Sequence, residues 1–401
     1  MIQNNNKTVC VVGLGYIGLP TAALLANRGY SVHGVDVVES TVETINQGEI
    51  HIVEPGLDTF VQSAVKSGKL KADLKPTYAD VFIIAVPTPF HKGYIPNIDY
   101  VVSATKAIAP YLKKGNIVIL ESTSPVGTTD KVEEVLQAEG IDTSSLFIAH
   151  CPERVLPGRI MIELVENDRI VGGTTPEATE ATVAFYNTFV EGEVLATDAK
   201  TAEMAKLTEN SFRDTNIAFA NELSILCDKF GIDVWELIAL ANRHPRVNIL
   251  QPGAGVGGHC IAVDPWFIVH AGGKDAKMIR TAREVNTYKT EWVIEKIKNK
   301  ALKFEAEHGK KAKVACMGLA FKPDIDDLRE SPALYITRRL ISDGLDILAV
   351  EPNVDNFTEF DLVDYKTALK EADIITFLVA HKEFKKLSIQ TDLDFCGVLN
   401  G

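Results

Sequence analysis

The sequence predicts an α/β protein in which two units of alternating strands and helices flank one long helix. Apolar runs of strand length, such as residues 81–86, alternate with helical segments over the first half of the chain. Residues 198–230 then have helical composition without proline or glycine. Strand-like runs return at residues 313–317 and 345–350. We therefore expect three domains, an N-terminal α/β domain, a central helical domain and a smaller α/β domain, over residues 1–197, 198–300 and 301–401.

Composition and charge limit the classes to which the chain can belong. A hydrophobic content of 46% and a charged content of 24% are typical of a globular protein with a large core. The formal net charge of −13 argues against broad nucleic-acid binding or an anionic membrane surface. The apolar runs are too short to span a bilayer, and no hydrophobic signal core precedes the first strand. The six cysteines follow neither zinc spacing nor a disulfide pattern, so we expect a cytoplasmic protein without a metal.

A glycine-rich turn follows the first predicted strand. Residues 8–12 are apolar, GLGYIG follows, residues 19–28 have helical composition, and a second apolar run ends at Asp36. This order of strand, glycine turn, helix, strand and acid is typical of a Rossmann NAD-binding domain. The helix N-terminus binds phosphates, and Asp36 should accept from the ribose while repelling a 2′-phosphate, which favours NAD over NADP. The predicted cofactor contacts here are Gly13, Gly15, Tyr16, Ile17, Gly18 and Asp36.

Polar residues follow three further predicted strands. Pro87 and Thr88 come after one strand, Thr123 after the next, and Glu153 after a third. Ligands of a doubly wound sheet bind beyond the carboxyl ends of its strands. Thr88, Thr123 and Glu153 are each common in loops, but three in succession at one predicted edge indicate a site, where we expect Pro87, Thr88 and Thr123 to contact the cofactor.

The long predicted helix and the segment after it carry polar and basic side chains. Lys206, Asn210 and Arg213 are spaced four and three residues apart, so they share one helical face. A solvated surface is the alternative, although apolar and aromatic residues surround them in the sequence. His244 and Arg246 belong to a basic segment in an acidic protein, which favours an anionic or polar ligand.

A second glycine-rich stretch, PGAGVGGHCIAVDPW over residues 252–266, contains Gly258, Cys260 and Asp264. Glycines allow backbone to approach a ligand closely. If the run that starts at Cys260 opens a helix, the dipole favours the thiolate form of a nucleophile. The alternative is a small buried cysteine beside a tight turn.

The last part of the chain predicts a smaller α/β unit without a full dinucleotide fingerprint. The strand at residues 313–317 is followed by GLAFKP, which includes Phe321 and Lys322. Lys322 and Arg329 lie where a phosphate could bind, and exposed surface charges are the alternative.

These motifs occur together, and in this order, in a known family. The segments GLGYIG, AVPTP, ESTSPVG, CPERVLPG, EMAKLTENSFRD, NRHPRVNILQPGAGVGGHC and GLAFKPDIDDLRES resemble those of the nucleotide-sugar 6-dehydrogenases, which include UDP-glucose 6-dehydrogenase. CPERVLPG, RHPRVNILQPG and GGHCIAVDPWF are similar to the N-acetylmannosamine branch rather than the glucose branch. The resemblance implies a UDP-sugar-binding third domain and oxidation of the sugar C6 alcohol to a carboxylate with two NAD. N-acetylglucosamine and glucose remain alternative sugars.

The resemblance also implies roles for individual residues. Cys260 aligns with the nucleophile, Lys206, Asn210 and Asp264 with polar residues around it, and Glu153 and Thr123 with residues that handle protons and place water. It implies an NAD contact at Arg329 and a homodimer in which the segment of His244 and Arg246 reaches the neighbouring site. The implied substrate contacts are Arg154, Val155, Lys206, Asn210, Arg213, His244, Arg246, Gly258, Phe321 and Lys322. The family often places a basic substrate contact near the C-terminus; here that region reads DFCG at residues 394–397, so we assign none.

A cysteine explains how one site could oxidise an alcohol twice. Attack of the Cys260 thiolate on the aldehyde makes a thiohemiacetal, whose oxidation gives a thioester for water to hydrolyse. Lys206 and Asn210 can donate to the oxyanion, Lys206 could take the hydroxyl proton, and Glu153 or Asp264 could activate the water. No metal is required. The competing classes are a two-electron dehydrogenase of the β-hydroxyacid type and a non-catalytic NAD-binding protein.

Overall fold

The structure is a computed structural model that describes residues 7–258, 260–387, 389 and 391–398. Its strands are β1 (Thr8–Val12), β2 (Ser31–Val35), β3 (Leu70–Asp73), β4 (Val81–Ile84), β5 (Phe90–His91), β6 (Ile95–Pro96), β7 (Ile117–Leu120), β8 (Phe147–His150), β9 (Arg169–Gly173), β10 (Val194–Asp198), β11 (Lys313–Met317), β12 (Asp346–Val350), β13 (Ile374–Phe377) and β14 (Leu393–Asp394). Its α-helices are α1 (Gly18–Asn27), α2 (Glu39–Asn46), α3 (Leu57–Lys66), α4 (Asp99–Ile108), α5 (Thr128–Ala138), α6 (Ile160–Glu166), α7 (Pro176–Tyr186), α8 (Ala199–Phe230), α9 (Val234–Ala241), α10 (Asp264–Gly272), α11 (Lys277–His308), α12 (Pro332–Ser342) and α13 (Tyr365–Glu371). The chain divides into two compact units, Met1–Thr208 and Glu209–Gly401.

The first unit contains an eight-stranded sheet in the order β10-β9-β8-β7-β4-β1-β2-β3. Neighbouring strands run parallel except β8 and β9, which are antiparallel. Strands β4 and β7 read VFII and IVIL, and every residue in them is buried. Such continuous apolar runs are typical of parallel strands covered on both faces. Side chains that alternate along β4 enter two separate cores, Ile83 on one face and Phe82 and Ile84 on the other.

The second unit contains a smaller parallel sheet in the order β12-β11-β13-β14. Its helix α11 spans 32 residues without a break. Gly309, with a φ of 69°, ends this helix in the left-handed conformation that favours glycine. The predicted α/β class, with a long helix between two sheet-containing parts, is therefore confirmed.

Two local boundaries differ from those that the sequence suggests. The sequence predicts a short strand and turn over residues 165–173; the strand forms as β9, but residues 165–166 still belong to helix α6. Ile160, Met161 and Leu164 are buried at helical spacing, which explains the helix. The helix that could have opened at Cys260, with its start left open by Pro265, begins at Asp264 and has that proline in its first turn. Because the dipole acts mainly within the first turn, it does not account for a reactive thiol at Cys260.

Among the residues that the structure covers, no helix combines the length and apolarity that crossing a bilayer requires. Residues 1–6 and 399–401, which belong to the terminal segments considered in the sequence, lie outside the described part.

Candidate active site

The predicted cofactor turn lies between β1 and α1 in the first unit. Gly13 has a φ of +92°, and a Cβ on Gly18 would collide with the Gly13 carbonyl oxygen. A Cβ on Gly15 would meet nothing within 4 Å, so the backbone there is open to a ligand. No side chain caps α1, whose N-cap is Ile17, and Tyr16 beside it is 40% exposed. Uncapped N–H groups beside an open glycine suit a pyrophosphate.

Asp36 follows the last residue of β2, as predicted. Its Oδ2 accepts from the backbone N–H of Leu14 at 2.9 Å, and its Oδ1 accepts from that of Val38 at 3.0 Å. The carboxylate is therefore held beside the glycine turn, where it can accept from ribose hydroxyls. The turn and the acid together fit NAD.

The loops after β4 and β7 are joined at the carboxyl edge of the sheet. The Thr88 hydroxyl donates to the carbonyl of Thr123 at 2.6 Å, and the Ser122 hydroxyl donates to that of Val86 at 2.6 Å. The structure thus brings together Thr88 and Thr123, with Pro87 in the same loop. Thr88 is buried and Thr123 half-buried.

Glu203 was not predicted, and it determines what the loop after Thr123 can bind. Its carboxylate accepts from the N–H groups of Gly127 and Thr129 at 2.6 and 2.7 Å. These donors belong to the N-terminus of α5, so the protein's own acid already occupies that end of the helix. The ESTSPVG segment therefore does not offer this helix N-terminus to an anion.

Glu153 lies just beyond β8 and is 7% exposed. Its Oε2 accepts from Nη1 of Arg169 at 2.7 Å, and its Oε1 accepts from the backbone N–H of Arg154 at 2.6 Å. The Arg154 side chain donates to the carbonyl of Asp168 at 3.0 Å. Val155 packs against the core. Arg169 was not predicted, although a buried acid beyond a strand end requires a cation or donors nearby.

A second acid, Glu121, is buried near the same arginine. Its Oε1 accepts from the Tyr186 hydroxyl at 2.8 Å. Burial, reinforced by the negative charge of Glu153, raises the pKa of Glu121 from 4.5 to about 7, although Arg169 and Tyr186 oppose the shift. Glu121 follows β7 directly and begins the ESTSPVG motif, so the same strand-end rule that identified Thr123 could have found it.

Replacing Glu121 with glutamine is expected to change the pH dependence of stability. Because its pKa is raised on folding, stabilisation by its proton is complete below about pH 4.5 and is lost as the pH rises to about 7. The variant keeps an acceptor for Tyr186 without the charge. Relative to the wild type, its free energy of unfolding should therefore rise by up to about 3 kcal/mol as the pH is raised from 5 to 8. Calorimetric melting temperatures at both pH values measure this gain. Glu180→Gln, at an exposed position of α7, is the control, and an equal difference at both pH values would show that Glu121 holds no proton.

The second unit contains the cysteine and two of its predicted polar neighbours. Cys260 is exposed, and its carbonyl accepts from the backbone N–H of Asp264 at 2.8 Å. The buried Asp264 carboxylate accepts from Nδ2 of Asn210 at 2.5 Å. An amide nitrogen carries two hydrogens, so Asn210 keeps one for a further acceptor. Lys206 and Arg213 also lie in α8, where Lys206 is half-buried and Arg213 is exposed.

The glycines before Cys260 are needed for packing within the protein. A Cβ on Gly258 would lie 2.8 Å from the Phe321 ring, and a Cβ on Gly257 would lie 2.5 Å from the Glu330 carbonyl oxygen. The Gly258 N–H donates to the carbonyl of Arg329 at 3.2 Å. These glycines let the cysteine loop lie against the GLAFKP and DDLRES segments, a packing role in addition to the ligand approach that their pattern predicts.

Side chains from two helices hold the start of this loop. Asn221 accepts from the N–H of Gly253 at 2.9 Å and donates to Asn286 at 2.9 Å. The Thr290 hydroxyl donates to the carbonyl of Ala254 at 3.0 Å. These anchors were missed because they are isolated polar residues in helical segments, with no motif around them.

The predicted basic segment forms an exposed loop after α9. His244 and Arg246 are both exposed, and His244 Nδ1 accepts from the backbone N–H of Arg246 at 3.3 Å. Asn242 closes the loop by bonds of 2.7 and 3.0 Å to the backbone of Ile249. The basic groups are thus held outward on a defined loop.

The predicted nucleotide contacts of the second unit differ in their surroundings. Phe321 is half-buried against the cysteine loop, and Lys322 is exposed. Arg329 forms a bidentate pair with Asp327, with bonds of 3.0 Å from Nε and 2.7 Å from Nη2. A phosphate or pyrophosphate at Arg329 must therefore share the guanidinium with this carboxylate.

The turn after β11 is filled by an acid of its own. Oε2 of Glu351 accepts from the N–H groups of Leu319 and Ala320 at 2.7 and 2.8 Å, and lies 3.1 Å from Nε2 of His381. Glu351 follows β12 as Asp36 follows β2. The two sheets thus carry an acid at the same topological position, in different surroundings.

The described residues contain no group of three or more side chains that could hold a metal ion. His150 and Cys151 are both fully buried. Burial lowers the pKa of His150 to about 3 and raises that of Cys151 to about 12.

A dinucleotide turn with its acid, a cysteine loop and a second nucleotide-type sheet define an NAD-dependent dehydrogenase. Family models bear this out. The NAD binding domain of the UDP-glucose/GDP-mannose dehydrogenase family matches residues 7–190, its central domain residues 200–288 and its UDP binding domain residues 315–395. The chain belongs to the UDP-glucose/GDP-mannose dehydrogenase family, as its motifs predicted.

Individual relatives are similar over almost the whole chain. A UDP-N-acetyl-D-mannosamine dehydrogenase of Campylobacter jejuni is 57% identical, over 98% of this chain and 100% of that protein. An NDP-N-acetyl-D-galactosaminuronic acid dehydrogenase of Ralstonia nicotianae is 54% identical, over 95% and 92%. The solved structure of a UDP-D-ManNAc dehydrogenase from Pyrococcus horikoshii has a TM-score of 0.88 at 37% identity, over 98% of this chain and 96% of that one.

Proposed function

We propose that this enzyme oxidises UDP-N-acetyl-D-mannosamine at C6 to UDP-N-acetyl-D-mannosaminuronate, with two NAD per sugar and a thioester on Cys260. The observation that carries the proposal is the arrangement in the second unit, where Cys260, Asp264 and Asn210 are linked and the cysteine loop lies on Phe321. A cysteine whose loop packs, through Gly258, against the segment predicted to bind the nucleotide sugar suits covalent catalysis. The relative at 57% identity supports the choice of sugar.

The glycine turn and Asp36 would hold the cofactor, which when bound accepts hydride in the two oxidations. Cys260 attacks the aldehyde, oxidation of that adduct leaves a thioester, and hydrolysis releases the carboxylate. Lys206 and the remaining N–H of Asn210 donate to the oxyanion, an effect of ~3 kcal/mol per donor. Because the Asp264 carboxylate is bonded to Asn210, we assign it to positioning that amide. Glu153, with Thr123, then places the hydrolytic water.

The remaining site assignments belong to the same proposal. Arg154, Val155, Arg213, Gly258, Phe321 and Lys322 contact the sugar nucleotide, and Arg329 contacts NAD. The exposure of His244 and Arg246 supports a homodimer in which their loop completes the neighbouring site. The family models support a division at 1–197, 198–300 and 301–401, since each falls within one segment. The cysteines in the described part are free thiols, as is usual in a reducing compartment, which supports a cytoplasmic location. The uronate product would serve there as a precursor of a surface polysaccharide.

Counting NADH against sugar consumed tests the proposal. We expect two NADH per UDP-N-acetylmannosamine, and a kcat/KM at least about tenfold above those for UDP-N-acetylglucosamine and UDP-glucose. One NADH per sugar would indicate a two-electron dehydrogenase, and binding without turnover a non-catalytic protein. UDP-N-acetylgalactosamine is included because of the relative at 54% identity, and its preference would replace the proposed sugar.

A further inference from the structure

Five buried side chains form a group in the first unit. Only one of them, Glu153, has a part in the chemistry described so far. We call the group the Glu153 cluster. None of its members is more than 7% exposed. They are Glu121, Cys151, Glu153, Arg169 and Tyr186.

The antiparallel strand β9 creates the cluster. The register of β8 and β9 pairs Ala149 with Gly173 and His150 with Gly172. Continued along both chains, it places Glu153 opposite Arg169. A parallel β9 would start at the opposite edge of the sheet and could not bring Arg169 to the end of β8. The single reversed pairing in this sheet is therefore what delivers a cation to the acid.

The arginine is held on three sides. Nη1 donates to Glu153 at 2.7 Å, and Nη2 donates to the carbonyl of Leu164 at 3.1 Å. Its guanidinium carbon lies 5.7 Å from the centre of the Tyr186 ring, whose hydroxyl donates to Glu121. Fixed in this way, the guanidinium leaves the Glu153 carboxylate little freedom to rotate.

The charges in the cluster are not balanced if both acids ionise. One guanidinium then faces two buried carboxylates, which is costly in a low-dielectric interior. The raised pKa of Glu121 reduces the conflict, because Glu121 loses its proton only as the pH approaches about 7. Arg169 then compensates the charge of Glu153 alone, with Cys151 and Tyr186 as neutral neighbours.

We propose that Arg169 is a positioning residue for the reaction, acting through Glu153, and that Glu121 with Tyr186 holds Arg169 in place. This inference rests on the proposed function, since it requires that Glu153 places the hydrolytic water. The arginine touches neither substrate nor cofactor in this account. It fixes the orientation of the acid that acts on the thioester.

A double-mutant cycle tests the inference. Arg169→Met should lower kcat by about 30-fold through slower thioester hydrolysis, with the KM for the sugar within about threefold. In a protein that already carries Glu153→Gln, adding Arg169→Met should lower kcat by less than about twofold, because the residue through which Arg169 acts is already disabled. Losses that multiply in the double variant would show that Arg169 acts independently of Glu153 and would overturn the inference.

Two further variants cover the case in which Arg169→Met does not fold, because it leaves Glu153 buried without a partner. Arg169→Lys keeps a cation but not the two guanidinium nitrogens that bond Glu153 and Leu164 together. It should lower kcat by about fivefold alone and not at all with Glu153→Gln. Glu121→Gln should remove an inflection near neutral pH from the kcat profile. The positioning role would again be rejected if the pH profile of kcat were unchanged in Glu121→Gln and if Arg169→Lys lowered kcat by the same factor with and without Glu153→Gln.

The proposed function is judged separately, on wild-type enzyme. If the wild type releases two NADH per sugar but the losses in kcat from the Arg169 and Glu153 substitutions multiply in the double variant, only the positioning inference fails. If the wild type releases one NADH, the thioester pathway itself is wrong.

Discussion

Replacing Cys260 with alanine is expected to abolish uronate formation, with a loss of at least about 10³-fold in turnover. The first oxidation needs no covalent catalyst, but the second needs a tetrahedral carbon bonded to sulfur. The fold should be unaffected, because the side chain is exposed. Chromatographic detection of UDP-N-acetylmannosaminuronate measures the effect, and uronate at near wild-type rates would exclude the thiol as the nucleophile.

Cys396→Ala is the matched control for this experiment. Cys396 is half-buried, whereas the other cysteines besides Cys260 are buried. Alkylation of the native protein should modify Cys260 first and abolish activity in parallel. The Cys396 variant should retain both the alkylation and the activity.

Replacing Glu153 with glutamine is expected to slow thioester hydrolysis by about 10³-fold, with a smaller effect on oxidation. Glutamine has nearly the same shape and can still accept from Arg169, so the buried arginine keeps a partner. The intermediate should then accumulate on Cys260. Intact-protein mass spectrometry after mixing with substrate and NAD would show the mass of the sugar nucleotide added to the chain.

Glu166→Gln, at the exposed end of α6, controls for loss of a nearby carboxylate. It should show wild-type turnover and no adduct. If Glu153→Gln is slow but no adduct is found, the water is activated by another group. Asp264 is then the next candidate, despite its bond to Asn210.

Much of the fold could be predicted because its signals are local. The run of β1, the GLGYIG turn and Asp36 follow one another within a single strand-helix-strand unit, and each residue type has a geometric reason to be there. The continuous apolar runs of β4 and β7 identified buried parallel strands in the same way. Helix α6 was missed because a short apolar segment does not distinguish helix from strand.

The site was predicted less completely because its supports come from distant parts of the chain. Glu153 was found at a strand end, but Arg169 is brought to it by a strand reversal that no local pattern indicates. The glycines around Gly258 were recognised, yet their contact partner, Phe321, lies over sixty residues later. Asn221 and Thr290 are single polar residues in helices, and only tertiary structure shows that they hold the loop.

The acid at the end of β12 limits what the turn of the second sheet can bind. Glu351 already occupies the backbone donors after β11, whereas Asp36 leaves the open face of the first turn available. Engineering a complete dinucleotide fingerprint into the second sheet would therefore not create another coenzyme pocket while Glu351 remained. The two units share a strand-turn-helix-strand architecture, but their turns are not interchangeable, and a chimera that exchanged the turns should lose both ligands.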